Sequence, residues 1–445
     1  MSTSIVWAQN SSPDSSGAGR ERSEGKQRIV VLGTGFAGSA FLTAFNREIG
    51  KDSKKGIELI AINSRNYMMF SPLLYEVATG KVYGYHVSSP ICCTVEDFGY
   101  KFIEANTTEI VPERNEIVTT KGTFHYDRLV IALGSESNDF GIPGVKEHSL
   151  PLKSVRDGDG GSLRDRVLDS YKEAVSRVDS GSTVGSLLTF VIIGGGATGV
   201  ELSASLLEFL DDLNRNHRRK NLFPRVVLVE AHDSLMSDVG GKFSEELAKM
   251  LKRKGVELFL GKKVVEVTES EVIFSDGNNI QTSNVFWTAG IKTNSVVSSL
   301  KRKFARGGGD RLAVGGYLQV PSLAGVYAIG DSALPVSEKG DSPVPQTAAV
   351  AVQEGKYLGK RLGEEFNGKH TDIKFRYRDH GTFLSIGRFS GICKLSNGII
   401  LTGFTAWFLW RIIHLWRIST VRNKFEVLFD WTFSLFHKGI FVDST

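Results

Sequence analysis

The chain has 445 residues, 41% hydrophobic and 23% charged, which is long and apolar enough for two or three domains with full cores. Its three cysteines, Cys92, Cys93 and Cys393, have neither the spacing of a disulfide framework nor a CxxC motif. A disulfide-stabilised fold and a dithiol redox centre are therefore excluded, and no metal site is predicted. We expect Cys92 and Cys93 to be small buried side chains near a strand.

The net charge of +5 is placed unevenly along the chain. From Asp372 onward, ten Lys and Arg accompany five Asp and Glu in the most aromatic part of the sequence. This combination favours an anionic membrane surface, and not a nucleic acid, as the partner.

Residues 1–26 are rich in Ser, Gly and charge without periodicity, which predicts a disordered tail. The tail lacks the long apolar core of a signal peptide, and its acidic residues are untypical of a transit peptide. We therefore expect an intracellular protein.

The first structural unit begins with a strand pattern, Ile29 to Leu32, that leads into a GxGxxG loop and a helix pattern. Gly33 permits the tight turn, Gly35 lets a diphosphate approach bare backbone, and Gly38 allows helix and strand to pack closely. The loop therefore predicts a dinucleotide site at the helix N-terminus.

The second strand of this unit, Glu58 to Ile62, ends at Asn63, where such domains usually carry a carboxylate. Asn63 can accept a ribose hydroxyl without charge, or it can be a simple turn residue. The aromatic segment from Asn66 to Tyr75 predicts either a buried turn or a cofactor-facing loop. An apolar strand from Arg128 to Gly134 suits a parallel sheet.

A second glycine loop follows the strand pattern Phe190 to Ile193, at Gly194 to Gly199. The strand after it ends in Glu230, whose carboxylate can bind both ribose hydroxyls and would repel a 2'-phosphate. Two such units predict two nucleotides, a resident flavin dinucleotide and a visiting nicotinamide dinucleotide, with NADH preferred over NADPH.

The chain then returns to the first unit through an apolar strand that delivers Gly330 and Asp331, a carboxylate suited to a ribityl hydroxyl. The predicted fold is α/β, with two Rossmann-like domains, the NADH domain inserted in the FAD domain, and a C-terminal amphipathic helical segment. The predicted bounds are 27–150 with 314–372 for FAD, 151–313 for NADH, and 373–445 for membrane docking.

The C-terminal segment holds a run of apolar and aromatic residues from Ile399 to Trp410 and a second from Phe425 to Phe436. Both are shorter than the ~20 residues of a membrane-spanning helix. We expect docking on the membrane surface, with a homodimer interface as the alternative use of the same aromatics. The tryptophans suited to the headgroup boundary are Trp407, Trp410, Trp416 and Trp431, and the basic residues Arg411 and Arg417 suit anionic lipid.

Taken together, these motifs resemble the type II NADH dehydrogenases, a family of flavoproteins in the two-dinucleotide-domain disulfide reductase superfamily. The resemblance extends from about Arg28 to the C-terminus and includes Ser71-Pro72-Leu73-Leu74 and Ala328 to Asp331. It implies non-covalent FAD, NADH as donor, a membrane quinone as acceptor, monotopic attachment on the NADH-accessible, cytoplasmic face, and no proton pumping.

The resemblance also implies the cofactor contacts. For FAD these are Gly33, Gly35, Phe36, Ala37, Gly38, Asn63, Ser64, Arg65, Ser71, Pro72, Leu73, Ala132, Gly134, Gly330, Asp331, Gln346, Thr347 and Ala348. For NADH they are Gly194, Gly196, Ala197, Thr198, Gly199, Glu230, Ala289 and Gly290.

One departure from the family concerns the two glutamines, four residues apart, at its quinone and flavin site. The second is present as Gln353, but Ala349 occupies the first position. We expect Gln346, about one helical turn before Ala349, to compensate in part. Glu201 is the other catalytic candidate, as a carboxylate near the nicotinamide; otherwise it is a first-turn acid that complements the helix dipole.

Two rival functions follow from the same features. A sulfide:quinone oxidoreductase would share the fold and tail but needs a pair of redox cysteines near the flavin. A flavin-bound protein that responds to NADH by binding a partner would fit the loss of a glutamine at Ala349.

Overall fold

The computed structural model describes residues 25–153, 163–180, 184–219, 222–304, 310–335 and 344–436. The predicted tail, residues 1–26, lies almost entirely outside these ranges. The chain divides into two compact units. The first combines residues up to Arg65 with Thr94–Leu133 and Ser295–Phe375, and the second combines Asn66–Cys93 with Gly134–Asn294 and residues from Arg376 onward.

The core of the first unit is a five-stranded parallel sheet. Four of its strands are almost wholly buried, as their continuous apolar sequences predict, and the edge strand Lys101–Glu104 is more exposed. In spatial order they are Val326–Ala328, Arg128–Ile131, Gln27–Leu32, Ile57–Asn63 and Lys101–Glu104.

Shorter strands complete the first unit: Thr107–Val111, Glu116–Thr119, Gly122–His125, Leu312–Val314 and Ala333–Pro335. Its α-helices are Phe36–Glu48, Lys51–Lys55, Ser295–Phe304 and Ala348–Phe366, and its 3-10 turns are Pro112–Arg114 and Gly330–Ser332.

Three glycines bring helix Ala348–Phe366 against helix Phe36–Glu48. Gly355, Gly359 and Gly363 recur every four residues and so lie on one face of their helix. A Cβ on Gly355 would overlap the carbonyl oxygen of Ala37, and one on Gly359 would lie 2.5 Å from that of Phe41. The close packing of this pair therefore requires glycine at these positions.

The core of the second unit is a second five-stranded parallel sheet, in which four strands repeat the order of the first sheet and the remaining edge strand precedes the glycine loop in the sequence. From edge to edge the strands are Ser149–Pro151, Asn284–Trp287, Thr189–Ile193, Arg225–Val229 and Glu257–Phe259. In both sheets the strand before the glycine loop is central and the strand after the loop helix lies next to it.

The second unit has further strands in small sheets: Tyr67–Met69, Ser88–Pro90, Ser135–Ser137, Val264–Val267, Glu271–Phe274, Asn279–Gln281, Ile291–Thr293, Thr382–Ser385, Gly391–Lys394 and Ile400–Thr402. Its helices are Ser71–Leu73 and Gly84–Val87, both 3-10, and Leu74–Ala78, Val145–His148, Leu163–Asp179, Ala197–Asn216, Gly241–Lys254, Gly403–Arg417 and Val421–Phe436.

The predicted α/β class, with two Rossmann-type sheets and C-terminal helices, is confirmed. In the part of the chain that the structure describes, none of the helices has the length and apolarity needed to cross a bilayer. The expectation that Cys92 and Cys93 are buried is wrong. They lie on the short helix Ile91–Asp97, after strand Ser88–Pro90, with Cys92 partly and Cys93 fully exposed.

Candidate functional site

The first glycine loop has the geometry that its sequence predicts. Gly33 has a φ of 91°, and a Cβ there would overlap the carbonyl oxygen of Ala132 at the end of the neighbouring strand. A Cβ on Gly38 would likewise overlap the carbonyl oxygen of Gly33. Gly35 has nothing within 4 Å of its Cβ position and caps helix Phe36–Glu48 without a side-chain hydrogen bond. Open space therefore faces an uncapped helix N-terminus, the arrangement that a diphosphate fits.

Asn63 lies at the end of the strand beside this loop and organises it. Its Oδ1 accepts a hydrogen bond from the Thr34 N–H at 3.2 Å, and its Nδ2 donates to the Arg65 carbonyl at 2.7 Å. Ser64 and Arg65 follow it on the exposed surface. Asn63 thus holds the loop through neutral hydrogen bonds.

Gly330 approaches the same loop from the returning strand. Its Cβ position lies 3.0 Å from the Cβ of Ala37, in the first turn of the loop helix, and 3.5 Å from that of Ala351. Asp331 follows within the 3-10 turn Gly330–Ser332. A glycine is needed here because the φ of 65° and the two alanines leave no room for a side chain.

Glu354 lies beneath Gly330 and was not found by sequence reasoning. It is 1% exposed, and its carboxylate accepts the Gly330 N–H at 2.5 Å. Burial raises the pKa of Glu354 to about 8, which the Gly330 hydrogen bond and the charge of Arg311 oppose. The sequence signal was weak, since an acid beside Gln353 in a helix is ordinarily exposed.

Helix Ala348–Phe366 carries the predicted glutamine position. Thr347 is its N-cap and accepts the Val350 N–H at 3.3 Å. Ala349 and Gln353 lie on the helix, but Gln346 precedes it and donates to the Asp331 carbonyl at 3.2 Å. The expectation that Gln346 lies one helical turn before Ala349 is therefore wrong.

The second glycine loop repeats the first. Gly194 has a φ of 114°, and a Cβ there would lie 2.7 Å from the Ala289 nitrogen. A Cβ on Gly199 would overlap the carbonyl oxygen of Gly194. Gly196 faces open space and caps its helix without a side-chain hydrogen bond. Ala197 and Thr198, the first two helical residues, are exposed. This loop also fits a diphosphate.

Glu230 occupies the position in the second unit that Asn63 has in the first. Its Oε2 accepts the Gly195 N–H at 2.6 Å, and its Oε1 accepts the His232 N–H at 2.8 Å. The ring Nδ1 of His232 is 2.7 Å from the same Oε1. The two loops thus differ at this position by one negative charge.

The remaining predicted contacts of the second unit lie on three segments. Gly290 follows strand Asn284–Trp287 with a φ of 69°, and its carbonyl accepts the Asn138 N–H at 3.3 Å. Gly134, with a φ of 71°, has open space at its Cβ position. Ser71, Pro72 and Leu73 form a 3-10 turn that leads into helix Leu74–Ala78.

Glu201 lies in the second turn of helix Ala197–Asn216, so its interpretation as a first-turn acid is wrong. It is 7% exposed, and its Oε1 accepts the Ser385 N–H at 3.0 Å. Burial raises the pKa of Glu201 well above its usual range, against the Ser385 hydrogen bond, and the charge of Glu76 raises it further. Such a carboxyl keeps its proton to a higher pH than an exposed one and is therefore suited to proton donation.

The C-terminal helices turn their tryptophans inward. Trp407, Trp410 and Trp431 are buried, and only Trp416 among these four tryptophans is exposed. The Arg411 guanidinium lies 4.4 Å from the ring centre of Trp407 and 4.3 Å from that of Trp431. The expectation that these three tryptophans and Arg411 face lipid headgroups is therefore wrong.

Comparison with known proteins is consistent with this geometry. The family described as pyridine nucleotide-disulphide oxidoreductase matches residues 27–355, and the NDH2 C-terminal domain matches residues 380–438. The chain resembles the solved structure of NDH2 from Plasmodium falciparum in complex with NADH, with a TM-score of 0.82 at 19% identity, covering 94% of this chain and 100% of that one.

Two curated relatives extend along nearly the whole chain. The internal alternative NAD(P)H-ubiquinone oxidoreductase A1 of Arabidopsis thaliana is 30% identical, over 91% of this chain and 83% of its own length. A type II NADH:quinone oxidoreductase of Mycobacterium tuberculosis is 28% identical, over 92% and 88%. The chain therefore belongs to the pyridine nucleotide-disulphide oxidoreductases and, within them, to the type II NADH:quinone oxidoreductase family.

Proposed function

We propose that this protein oxidises NADH at a bound, non-covalent FAD and passes two electrons to a membrane quinone without pumping protons. The observation that carries the proposal is the duplicated glycine loop, with Asn63 at the end of one neighbouring strand and Glu230 at the end of the other. Each loop fits one dinucleotide, and the charge difference distinguishes them. Family membership supports a quinone as the electron acceptor and the absence of proton pumping.

The first unit would hold FAD. The uncapped helix at Gly35 receives the diphosphate, Asn63 shapes the ribose end, and Asp331 supplies a carboxylate for the ribityl chain. FAD when bound supplies the chemistry of hydride acceptance and electron transfer. The protein's part is to orient the donor and the acceptor.

The second unit would hold NADH. The uncapped helix at Gly196 receives the diphosphate, and Glu230 accepts the ribose hydroxyls. A 2'-phosphate would meet the negative charge of Glu230, so NADH is the preferred donor. Ala289 and Gly290 line the opposite side of this loop.

Glu201 would provide a proton for quinone reduction. Forming a quinol takes two electrons and two protons, while NADH delivers a hydride, so one proton must come from solvent. A buried carboxyl whose pKa is raised well above its usual range holds a proton that it can deliver. Gln353 is the proposed neutral positioning group, acting without the second glutamine that Ala349 replaces.

The outer face of the C-terminal helices would attach the protein to the membrane surface. Phe404, Phe408, Ile412 and Trp416 recur every fourth residue and are all exposed. On the second helix Val421, Phe425, Leu428 and Phe429 form a second exposed apolar row. Such a contiguous apolar face suits the lipid interface on the NADH-accessible side of the membrane. A homodimer that buries the same rows is the alternative.

Sulfide oxidation is less well supported, although the chain also resembles the sulfide:quinone oxidoreductase of Aquifex aeolicus, with a TM-score of 0.71 at 18% identity. Its chemistry needs two cysteines that act on the flavin. Cys92 and Cys93 are neighbours on one short helix, and Cys393 is buried on strand Gly391–Lys394.

Stopped-flow measurement of the two half-reactions tests the proposal. Glu201→Gln should leave flavin reduction by NADH unchanged and slow reoxidation by a short-chain quinone roughly 100-fold, within the usual range for a general acid. Glu173→Gln, at an exposed carboxylate paired with Arg177, is the matched control. Equal quinone rates in the wild type and Glu201→Gln would contradict the role of Glu201.

A further inference from the structure

A buried polar cluster surrounds Glu201, and the proposed reaction uses only Glu201 itself. Helix Leu74–Ala78 runs in the same direction as helix Ala197–Asn216, because Thr79 Oγ1 meets Ser205 Oγ at 2.7 Å and Lys81 Nζ meets Glu208 Oε2 at 2.8 Å. One turn earlier on both helices, Tyr75 and Glu201 lie side by side.

Tyr75 is 3% exposed, and its hydroxyl makes no direct hydrogen bond to the described residues, although Ser385 lies close enough to lower its pKa. Burial raises the pKa of Tyr75 well above its usual range, and the charges of Glu201 and Glu76 raise it further. The indole N–H of Trp410 also lacks a partner, although it is close enough to Glu201 to lower the pKa of that carboxyl.

Glu76 follows Tyr75 on its helix and is 2% exposed. Its Oε2 accepts the indole N–H of Trp431 at 2.6 Å. The guanidinium of Arg411 lies over the ring of the same Trp431, and its Nε has no partner. Burial lowers the pKa of Arg411, while the charge of Glu76 opposes that effect. A carboxylate at the edge of one indole and a cation over its face are thus held close together.

Within the described ranges, three buried donors of this one cluster make no direct hydrogen bond: Tyr75 Oη, Trp410 Nε1 and Arg411 Nε. Buried polar groups are almost always hydrogen-bonded to protein or to ordered water. Water among these groups would also connect them with Glu201. A carboxyl that must give up and regain a proton needs such a connection.

We propose that Glu76, with Arg411 and Tyr75, is a positioning group that holds Glu201 in its proton-donating form through ordered water. The inference rests on the proposed function, in which NADH, one proton and quinone give NAD⁺ and quinol. The anionic Glu76 disfavours a second negative charge on Glu201, so Glu201 keeps its proton until quinone takes it. Arg411 balances the charge of Glu76, and Tyr75 orients the water.

Other groups face this cluster from the neighbouring elements. Ser385 donates to Glu201 from strand Thr382–Ser385, and Glu208 acts on Arg411 from helix Ala197–Asn216. Glu208 is paired with Lys81 and Lys254. His414 stacks on Trp410, and burial lowers the pKa of His414 to about 4, so it is neutral in the pH range of the test.

The test is the pH dependence of quinone reduction by the NADH-reduced holoenzyme, between pH 5.5 and 9, with a short-chain ubiquinone. Glu76→Gln retains an acceptor for Trp431 but removes the charge. It should shift the apparent pKa of the quinone step downward by at least about half a pH unit. Tyr75→Phe removes one hydroxyl and should slow the step at least about threefold, while reduction by NADH stays unchanged in both.

Each outcome has a separate meaning. If quinone fails to reoxidise the wild-type protein, the proposed function fails. If quinone reoxidises the wild type, and both Glu76→Gln and Tyr75→Phe show the same rate and pH profile as the wild type, only this inference is overturned. Glu173→Gln should match the wild type. Arg411→Lys keeps the positive charge and should therefore reduce quinone faster than Arg411→Gln. If Arg411 had only a steric role, the two variants would not need to differ in this order.

Discussion

Replacing Glu354 by glutamine should change how the stability of the protein depends on pH. The folded-state pKa of Glu354 is about 8, because the carboxyl is buried, and its usual value is 4.5. Between these two pH values the folded chain holds a proton that the unfolded chain has released. Folding is therefore favoured at low pH, and the contribution of Glu354 is lost as pH rises toward 8.

The magnitude follows from the same two values. Each pH unit well inside this interval costs about 1.4 kcal/mol of stability, and the cost levels off as pH reaches the folded-state pKa, so the wild type should lose roughly 2 kcal/mol between pH 6 and pH 8 through Glu354 alone. Glu354→Gln cannot titrate, and its side-chain oxygen can still accept the Gly330 N–H. The stability of the variant, measured relative to the wild type, should therefore be higher at pH 8 than at pH 6.

Urea unfolding with excess FAD, followed by circular dichroism at both pH values, measures this difference. Glu96→Gln, the same change at an exposed position, is the matched control and should follow the wild type. The reasoning would be refuted if Glu354→Gln and the wild type lost the same stability between pH 6 and pH 8.

Three further changes have defined outcomes. Glu230→Gln removes a charge that accepts a 2.6 Å hydrogen bond, so kcat/KM for NADH should fall about tenfold or more and the ratio for NADPH over NADH should rise, in steady-state assays. Gly359→Ala should destabilise the protein by about 1–3 kcal/mol in urea unfolding, since its Cβ would lie 2.5 Å from a backbone oxygen, whereas Gly185→Ala, in open space, should not. Trp416→Ser, at a side chain 75% exposed, should weaken cosedimentation with anionic vesicles severalfold; unchanged binding would argue against docking through this face.

The sequence predicted the two glycine loops and their strand ends because these depend on local rules. A glycine at a positive φ, an apolar strand before it and a polar residue at the next strand end lie within one continuous stretch of chain. Asn63 and Glu230 were found in this way, and both hydrogen-bond the N–H of the second loop residue.

Features that depend on distant partners were missed. Glu354 is buried because Gly330, 24 residues away, brings its N–H to the carboxylate. The spacing of Gly355, Gly359 and Gly363 was visible in the sequence, but its meaning depends on the helix that packs against it.

The orientation of the C-terminal helices could have been read from periodicity. Exposed Phe404, Phe408 and Ile412 lie four residues apart, and buried Trp410 and His414 share another face. Composition alone placed all four tryptophans of the C-terminal segment at the membrane, because it does not distinguish the two faces of a helix. The inward face is what brings Trp410 to Glu201.

The central claim is that electrons pass from NADH to a quinone through a bound flavin. Flavin absorbance of the detergent-purified protein, recorded without oxygen, tests it most directly when NADH is added first and a short-chain quinone second. We expect bleaching by NADH and rapid recovery with quinone. Bleaching that quinone does not reverse would contradict the account and indicate a different acceptor.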